Sequence, residues 1–183
     1  MTPAPGPGTL GSPRCPPLSA FVAIDFETAS HEATSACALG LVRVQNGRVV
    51  ARAHHLIRPP SDRFVFTHIH GITWAHVRDA PTFPELWPDI REFFQGARFL
   101  AAHNAPFDRG VLSACCALHD LPAPKKPYVC TVRLARALWQ IRPTRLPDVC
   151  RRLGLELRHH EALSDAEACA GIVIRAQGEG WRF

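Results

Sequence analysis

Two acidic side chains stand at the end of an apolar run that is typical of a buried strand. The run spans residues 21–28 and carries Asp25 and Glu27. Because side chains alternate between the two faces of a strand, acids separated by one residue project from the same face. Burying two neighbouring anions is costly unless a cation neutralises them, so the pair indicates a divalent metal site. The alternative is that Glu27 begins a solvated loop and Asp25 caps a helix.

Two further acids occur where the chain could bring them to the same place. Asp108 follows a short strand-like segment and lies in the first turn of a predicted helix. Asp165 lies among small residues, which allow its helix to pack closely against a neighbour and make it a candidate inward-facing carboxylate. Each has an ordinary alternative: Asp108 could be a charge favoured by the helix dipole, and Asp165 could be solvated beside Glu167.

Strand-like and helical patterns alternate around these acids. The runs 37–44 and 48–57 flank Asn46-Gly47, and such a pair between two strand-like runs predicts a β-hairpin. Residues 61–80 predict a long irregular connection. Helices are predicted at 82–95, from about 106 to 118, within 130–142, at 146–153 and at 161–176, and short strands at 98–102 and 128–131.

This order predicts an α/β domain with a mixed five-stranded sheet flanked by helices. The first strand is expected at the centre, with its hairpin on one side and parallel strands on the other. In such sheets ligands bind at the carboxyl ends of the strands, where the strand order reverses. Asp25 and Glu27 lie at that edge.

The composition is that of a globular protein outside the membrane. The chain has 183 residues, of which 46% are hydrophobic and 20% charged. No apolar run approaches the ~20 residues needed to cross a bilayer. We expect one domain over residues 19–183 after a disordered Pro- and Gly-rich tail over residues 1–18, which resembles neither a signal peptide nor a transit sequence.

Cysteine usage and net charge indicate the cellular compartment and the kind of binding partner. The seven cysteines are odd in number, scattered, and form no Cys-x-x-Cys pair. This pattern favours reduced thiols in the cytoplasm over a zinc or disulfide framework. The net charge of +5 favours an anionic partner such as nucleic acid.

Three motifs in order carry a resemblance to a known family. They are Asp-x-Glu-Thr at residues 25–28, His-Asn-x-x-Phe-Asp at 103–108, and His-x-x-x-x-Asp at 160–165. This set resembles the DnaQ-like 3′–5′ exonucleases, in the DEDDh subgroup with histidine in the third motif, and covers about residues 20–176. The resemblance implies a ribonuclease H-like fold and a two-metal nuclease that releases nucleoside 5′-monophosphates from 3′ ends.

The resemblance also implies roles for the acids. Asp25, Glu27 and Asp165 look like ligands of the catalytic metal, with Asp25 bridging to a second ion that Asp108 helps to hold. Oxygen ligands of this kind suit Mg²⁺ or Mn²⁺. Two such ions about 4 Å apart would lower the pKa of the attacking water and stabilise the leaving oxygen.

A histidine five residues before Asp165 looks like the general base of the family. His160 has that spacing, whereas His159 competes for the role on chemistry alone. Five residues rotate two side chains about 140° apart on a helix, so His160 should lie in the loop that leads into the helix. Activity should fall at acid pH as its imidazole protonates near its reference pKa of about 6.5.

Substrate contacts are implied by the same resemblance. The backbone at Phe26 and the region of Thr28 would approach the terminal nucleotide, and Phe107 would pack against its base or sugar. Such apolar contacts tolerate any base and require an unpaired end. Core packing is the alternative for Phe107 and Ile72, and a backbone hydrogen bond that orients the Asp108 turn is the alternative for Asn104. The full set of expected substrate contacts is Phe26, Thr28, His70, Ile72, Asn104 and Phe107.

The sequence therefore predicts a metal-dependent 3′–5′ exonuclease acting on single-stranded or frayed DNA. One alternative is the same chemistry on RNA ends, because recognition of the 2′-OH cannot be assigned to a residue. Another is a catalytically silent nucleic-acid-binding polymerase accessory, which would be free to lose one of the four acids or His160. The chain has no long extension resembling a polymerase-binding tail, so we expect a stand-alone repair or degradative role rather than stable polymerase association. A homodimer is one expected state, since several relatives dimerise.

Overall fold

A five-stranded mixed sheet forms the centre of the computed structural model, which describes residues 18–183. The tail predicted over residues 1–18 lies, apart from its last residue, outside the described residues. The strands run in the order β3-β2-β1-β4-β5. They are β1 (Phe21–Thr28), β2 (Ala36–Gln45), β3 (Arg48–Leu56), β4 (Phe99–Ala102) and β5 (Tyr128–Cys130).

The sheet confirms the predicted topology. Strand β1 is central, antiparallel to β2 and parallel to β4, and β5 extends the parallel half. Asn46 and Gly47 make the β2–β3 hairpin turn with φ values of 50° and 72°, a region that these two residues enter at low cost. The last strand ends at Cys130, one residue earlier than predicted, because Thr131 already belongs to the next helix.

Seven helices cover the sheet or connect its strands within residues 18–183. The connection predicted as irregular over residues 61–80 is partly helical, since two one-turn helices form there. No helix in the described chain combines the length and apolar character needed to span a bilayer. The helices are α1 (Thr67–His70), α2 (Trp74–Val77), α3 (Phe83–Phe93), α4 (Ala105–Leu118), α5 (Thr131–Trp139), α6 (Leu146–Leu153) and α7 (Ala162–Gly178).

The alternation of side chains along β1 divides the core into two layers. Val22, Ile24 and Phe26 pack against α3 and α4 on one face of the sheet. Phe21 and Ala23 pack on the other face, where α5, α6 and α7 lie. Residues 25 and 27 continue the second series, so their carboxylates point to the face covered by α7.

Candidate active site

Strand β1 extends beyond the strand that pairs with it on its parallel side. Its ladder with β4 ends at the pair Ala23 and Ala101. The backbone N–H of Phe26 therefore lacks a ladder partner there, and it donates instead to Oδ1 of Asp108 at 3.0 Å. This bond brings the first turn of α4 to the end of β1. Asp108 lies in the first turn of α4, as its helix-dipole alternative requires, but it is only 1% exposed and is therefore not a surface charge.

A glycine in β2 lets α7 reach the same strand end. Gly40 pairs with Asp25 in the sheet, and a Cβ built on Gly40 would lie 2.1 Å from the carbonyl oxygen of Ala162. Any side chain at residue 40 would therefore push the start of α7 away from the sheet. The close approach buries Asp165 to 4% exposure, so this carboxylate is not solvated beside Glu167.

Three carboxylates converge on the face of the sheet under α7. Oxygen atoms of Asp25, Glu27 and Asp165 lie within 4.8 Å of one another. Burial raises the pKa of Asp25 well above its usual range, and the nearby charges of Asp108, Asp165 and Glu27 raise it further. Burial and the charge of Asp165 likewise raise the pKa of Glu27 to about 8. Burial also raises the pKa values of Asp108 and Asp165.

Two oxygen atoms of the cluster accept no hydrogen bond from any residue between 18 and 183. They are Oδ2 of Asp108 and Oδ1 of Asp165, and both are buried. Buried polar atoms are nearly always satisfied, so such a pair calls for an additional partner. Several carboxylate oxygens crowded in this way match the donor set of a hard divalent cation. The residues present therefore fit the metal ions that the motifs imply.

Two histidines adjoin Asp165 in different ways. Nδ1 of His159 donates to Oδ2 of Asp165 at 3.0 Å, while His160 contacts the same oxygen only through its backbone N–H at 3.2 Å. The two rings stack with centroids 3.7 Å apart. His160 lies in the loop before α7 with a left-handed φ of 69°. Burial and the neighbouring His159 lower the pKa of His160, so its ring is neutral near pH 7 and can accept a proton.

A third histidine ties the α1 loop to the end of β1. The backbone N–H of Ile72 donates to Nδ1 of His70 at 3.0 Å. The proton of the neutral ring must therefore sit on Nε2, which donates to the carbonyl of Thr28 at 3.1 Å. Burial lowers the pKa of His70 and keeps this tautomer neutral. The loop of residues 70–72 is thus anchored beside the carboxylates.

The remaining expected substrate contacts differ in their exposure. Phe107 is 45% exposed, which excludes core packing, whereas the side chain of Phe26 is buried and leaves only its backbone near the site. Asn104 precedes α4 with a φ of 70°, a conformation that asparagine tolerates well. Within the described chain its side chain makes no capping bond; its backbone carbonyl accepts from the N–H of Phe107 at 2.9 Å. The alternative of a side-chain bond that orients the turn is therefore wrong.

Two residues that the motif analysis left without a role help to build the site. Gly40 could have been noticed as a lone glycine inside a strand pattern, which often marks a close approach of another backbone. His103 links three elements: its Nε2 donates to the carbonyl of Thr144 at 2.9 Å, and its Nδ1 accepts from the hydroxyl of Thr131 at 2.8 Å. Its partners are distant in the sequence, so no local signal announces them.

A ribonuclease H-like mixed sheet with acids at the carboxyl end of its central strand is the arrangement expected of a nuclease. Comparison with known proteins supports this class. The family model RNase_T, described as exonuclease, matches residues 22–173. The chain therefore belongs to this family of DnaQ-like 3′–5′ exonucleases.

Sequence relatives and solved structures are consistent with this family assignment. The DNA polymerase III PolC-type of Thermotoga maritima is 31% identical over 159 residues, which are 85% of this chain and 12% of that protein. The chain thus spans about an eighth of the length of this relative. Exonuclease X, solved with 5′ overhanging duplex DNA, is 29% identical with a TM-score of 0.72, over 88% of this chain and 93% of that one. The nuclease domain of 3′hExo, a DEDDh family member bound to rAMP, is 18% identical with a TM-score of 0.77. This match covers 89% of this chain and 94% of that one, and it shows that the two share a fold.

Proposed function

We propose that this protein is a metal-dependent 3′–5′ exonuclease that hydrolyses single-stranded or frayed DNA ends and releases nucleoside 5′-monophosphates. One observation carries the proposal: four carboxylates gather at the end of β1, and no lysine or arginine among residues 18–183 forms an ion pair with any of them. Among residues 18–183, the one ion pair made by these four carboxylates is that of Asp165 with His159. Such an excess of negative charge is suited to holding divalent cations.

The geometry supports an assignment of the residues that would hold the ions. Asp25, Glu27 and Asp165 supply one set of oxygens, and Asp108, reaching β1 from the opposite side, supplies an oxygen for a second ion. Bound Mg²⁺ or Mn²⁺ would lower the pKa of the attacking water and stabilise the leaving 3′ oxygen. Without the ions, the raised pKa values of these acids favour their protonated forms.

His160 is the proposed general base. Its side chain is free of the bond that fixes His159 to Asp165, so it can turn towards a water beside the carboxylates. Its lowered pKa keeps the imidazole neutral and ready to accept the proton. His159 holds Asp165 in place through Nδ1, which makes it a positioning residue in this proposal.

The proposed substrate is a 3′ end that is unpaired at its terminal nucleotide. Exposed Phe107 offers an apolar surface beside Asp108, and the anchored loop of His70 and Ile72 closes the other side next to Thr28. An aromatic and aliphatic surface of this kind accepts any base. Similarity to a segment of PolC-type DNA polymerases and to exonuclease X supports DNA as the substrate, in repair or proofreading, and the cysteine usage supports a cytoplasmic location.

The test is a time course with matched 5′-labelled single-stranded DNA and RNA oligonucleotides, in Mg²⁺, Mn²⁺ or chelator. We expect a DNA ladder that shortens from the 3′ end, requires metal, and is missing with the Asp25→Ala protein. A faster RNA ladder would assign the same chemistry to RNA instead. Intact oligonucleotides that remain bound to the protein in a mobility-shift assay would replace the proposal with a silent nucleic-acid-binding module.

A further inference from the structure

A cationic cavity opens beside the candidate active site, outside the set of residues that the motifs identify. It has a volume of about 410 Å³ and lies between α4, β5 and α5. Its lining includes Arg109 and Ser113 of α4, Tyr128 of β5 and Arg133 of α5. Arg109 and Ser113 are four residues apart and so share one face of the helix.

The two arginines of the cavity have no acidic partner in the described chain. Both Arg109 and Arg133 are exposed, and no carboxylate of residues 18–183 forms an ion pair with either. Some other arginines of the described chain do form ion pairs; for example, Arg175 pairs with Glu179. Two uncompensated guanidinium groups that line one cavity together with the hydroxyl groups of Ser113 and Tyr128 supply hydrogen-bond donors of the kind that bind a phosphate.

The position of the cavity relates it to the proposed reaction. β5 ends at Cys130, at the same edge of the sheet as the carboxylates of β1, and only β4 lies between the two strands. Two strand spacings amount to about 10 Å. Phosphates follow one another every ~3.4 Å along the axis of a stacked strand, so the cavity is within about three nucleotides of the cleavage point.

A third arginine lies one turn further along α5 from the cavity. Arg136 lies three residues after Arg133 on α5, and its Nε donates to the hydroxyl of Thr144 at 2.8 Å. The carbonyl of Thr144 accepts from Nε2 of His103. Arg136 and His103 therefore share Thr144 as a hydrogen-bond partner.

We propose that the cavity formed by Arg109, Tyr128 and Arg133 binds one backbone phosphate of the nucleic acid near the cleaved end. The proposal rests on the exonuclease function and deepens it by naming a second contact with the substrate. The cavity is at the small end of ligand pockets, so it accepts one phosphate with its sugar rather than a whole duplex. The phosphate belongs either to the cleaved strand or to a complementary strand, and the experiment separates the two.

The test compares two double variants with equal loss of charge. The cavity variant is Arg109→Gln with Arg133→Gln, and the control is Arg48→Gln with Arg91→Gln. Arg48 and Arg91 are exposed, have no ion pair in the described chain, and do not line the cavity. Each protein is assayed on single-stranded DNA, on duplex DNA with a 5′ overhang, and on a nitrophenyl ester of a nucleoside 5′-monophosphate, which has no upstream phosphate.

We expect the cavity variant to raise KM for DNA about tenfold relative to the control, as for the loss of charge-assisted hydrogen bonds. The logarithm of the DNA-binding constant decreases with the logarithm of the salt concentration. In the cavity variant this slope should be less steep than in the control by about one, the value for one phosphate contact. A KM increase on both DNA substrates identifies the cleaved strand as the source of the phosphate; an increase on the duplex alone identifies the complementary strand. Hydrolysis of the aryl ester should match that of the control.

A second variant tests the cavity by filling it while keeping its charge. Gly110 lines the cavity, and a Cβ built there meets no atom within 4 Å. Gly110→Leu should raise KM for DNA like the arginine variant, and the substitution favours the helix. Equal KM values for the cavity and control variants, an unaltered KM in Gly110→Leu, or equal losses on the aryl ester would each overturn the phosphate site. If the wild-type protein hydrolyses neither DNA nor the ester, the exonuclease function itself fails.

Discussion

The carboxylates at the end of β1 and those on the outer helices are balanced in opposite ways. On α6, Asp148 accepts from Arg145 at 2.7 Å and from Arg151 at 3.3 Å, and its hydrogen bond with Arg145 lowers its pKa. At the end of β1, burial and mutual repulsion raise the pKa values of Asp25 and Glu27. Asp148 is stabilised by arginines of the protein itself, whereas the inner cluster is stabilised when protons or cations from solution neutralise it.

Paired and unpaired carboxylates should contribute differently to the stability and to the activity of this protein. A surface carboxylate paired with arginine contributes modestly to folding and is screened by salt. A crowded cluster without a cation opposes folding and persists because the surrounding layers of core hold it together. Substitutions should therefore have opposite effects on activity and on stability in the two regions.

The largest effect is expected for Asp25→Ala. The variant should lose about 10⁴-fold or more in DNA hydrolysis, the scale seen when one member of a catalytic unit is removed. Its melting temperature without metal at pH 8 should equal or exceed that of the wild type, because one of several repelling anions is gone. The matched control is Asp148→Ala, which removes the same charge: its hydrolysis should be unaffected and its melting temperature slightly lower. Retained turnover in Asp25→Ala would contradict the metal assignment.

A smaller loss is expected for the proposed base. His160→Ala should reduce the rate by about 10²- to 10⁴-fold in single-turnover assays, while metal affinity measured by calorimetry stays the same. His159→Ala should cost less, since it removes only the bond that positions Asp165. Weakened metal binding in His160→Ala would make His160 a ligand, and a larger loss in His159→Ala would transfer the role of base to its neighbour.

An intermediate effect is expected from a residue that carries no charge. In Gly40→Ala the new Cβ would overlap the carbonyl of Ala162, so α7 must shift and carry Asp165 with it. A displacement of about 1 Å can cost about 10²-fold in rate, and such overpacking typically destabilises a fold by about 1–3 kcal/mol. Gly178→Ala, at an open position of α7, should alter neither quantity adversely. Wild-type activity in Gly40→Ala would show that the approach of α7 is not needed.

The smallest effect is a pH dependence of stability. In the unfolded chain these acids ionise near pH 4 to 4.5, whereas the folded protein raises the pKa of Glu27 to about 8. Between these values the unfolded chain binds fewer protons, so the metal-free protein loses stability as the pH rises. Mg²⁺ or Mn²⁺ should therefore raise the melting temperature more at pH 8 than at pH 5.5. A shift of equal size at both values, or one retained in Asp25→Ala, would contradict metal binding at this cluster.

Much of the fold follows from local patterns. The Asn46-Gly47 turn specifies the β-hairpin because both residues tolerate positive φ. The helix over residues 146–153, bounded by Gly154, has the predicted ends. The one-turn helices within residues 61–80 were missed, since segments this short have no periodicity to detect.

The amino-acid sequence alone determined that Asp25 and Glu27 share a face, because strand alternation is a local property of the backbone. The resemblance of the ordered motifs to a known family also nominated Asp108, Asp165 and His160. Only the tertiary structure decided that these residues meet. The ladder between β1 and β4 ends at Ala23, so the backbone N–H of Phe26 is available to bond Asp108. Because Gly40 has no side chain, α7 can pack close to β2 and place Asp165 beside the other acids. These contacts join residues up to more than a hundred positions apart, and the chain can specify them only through packing of the whole domain.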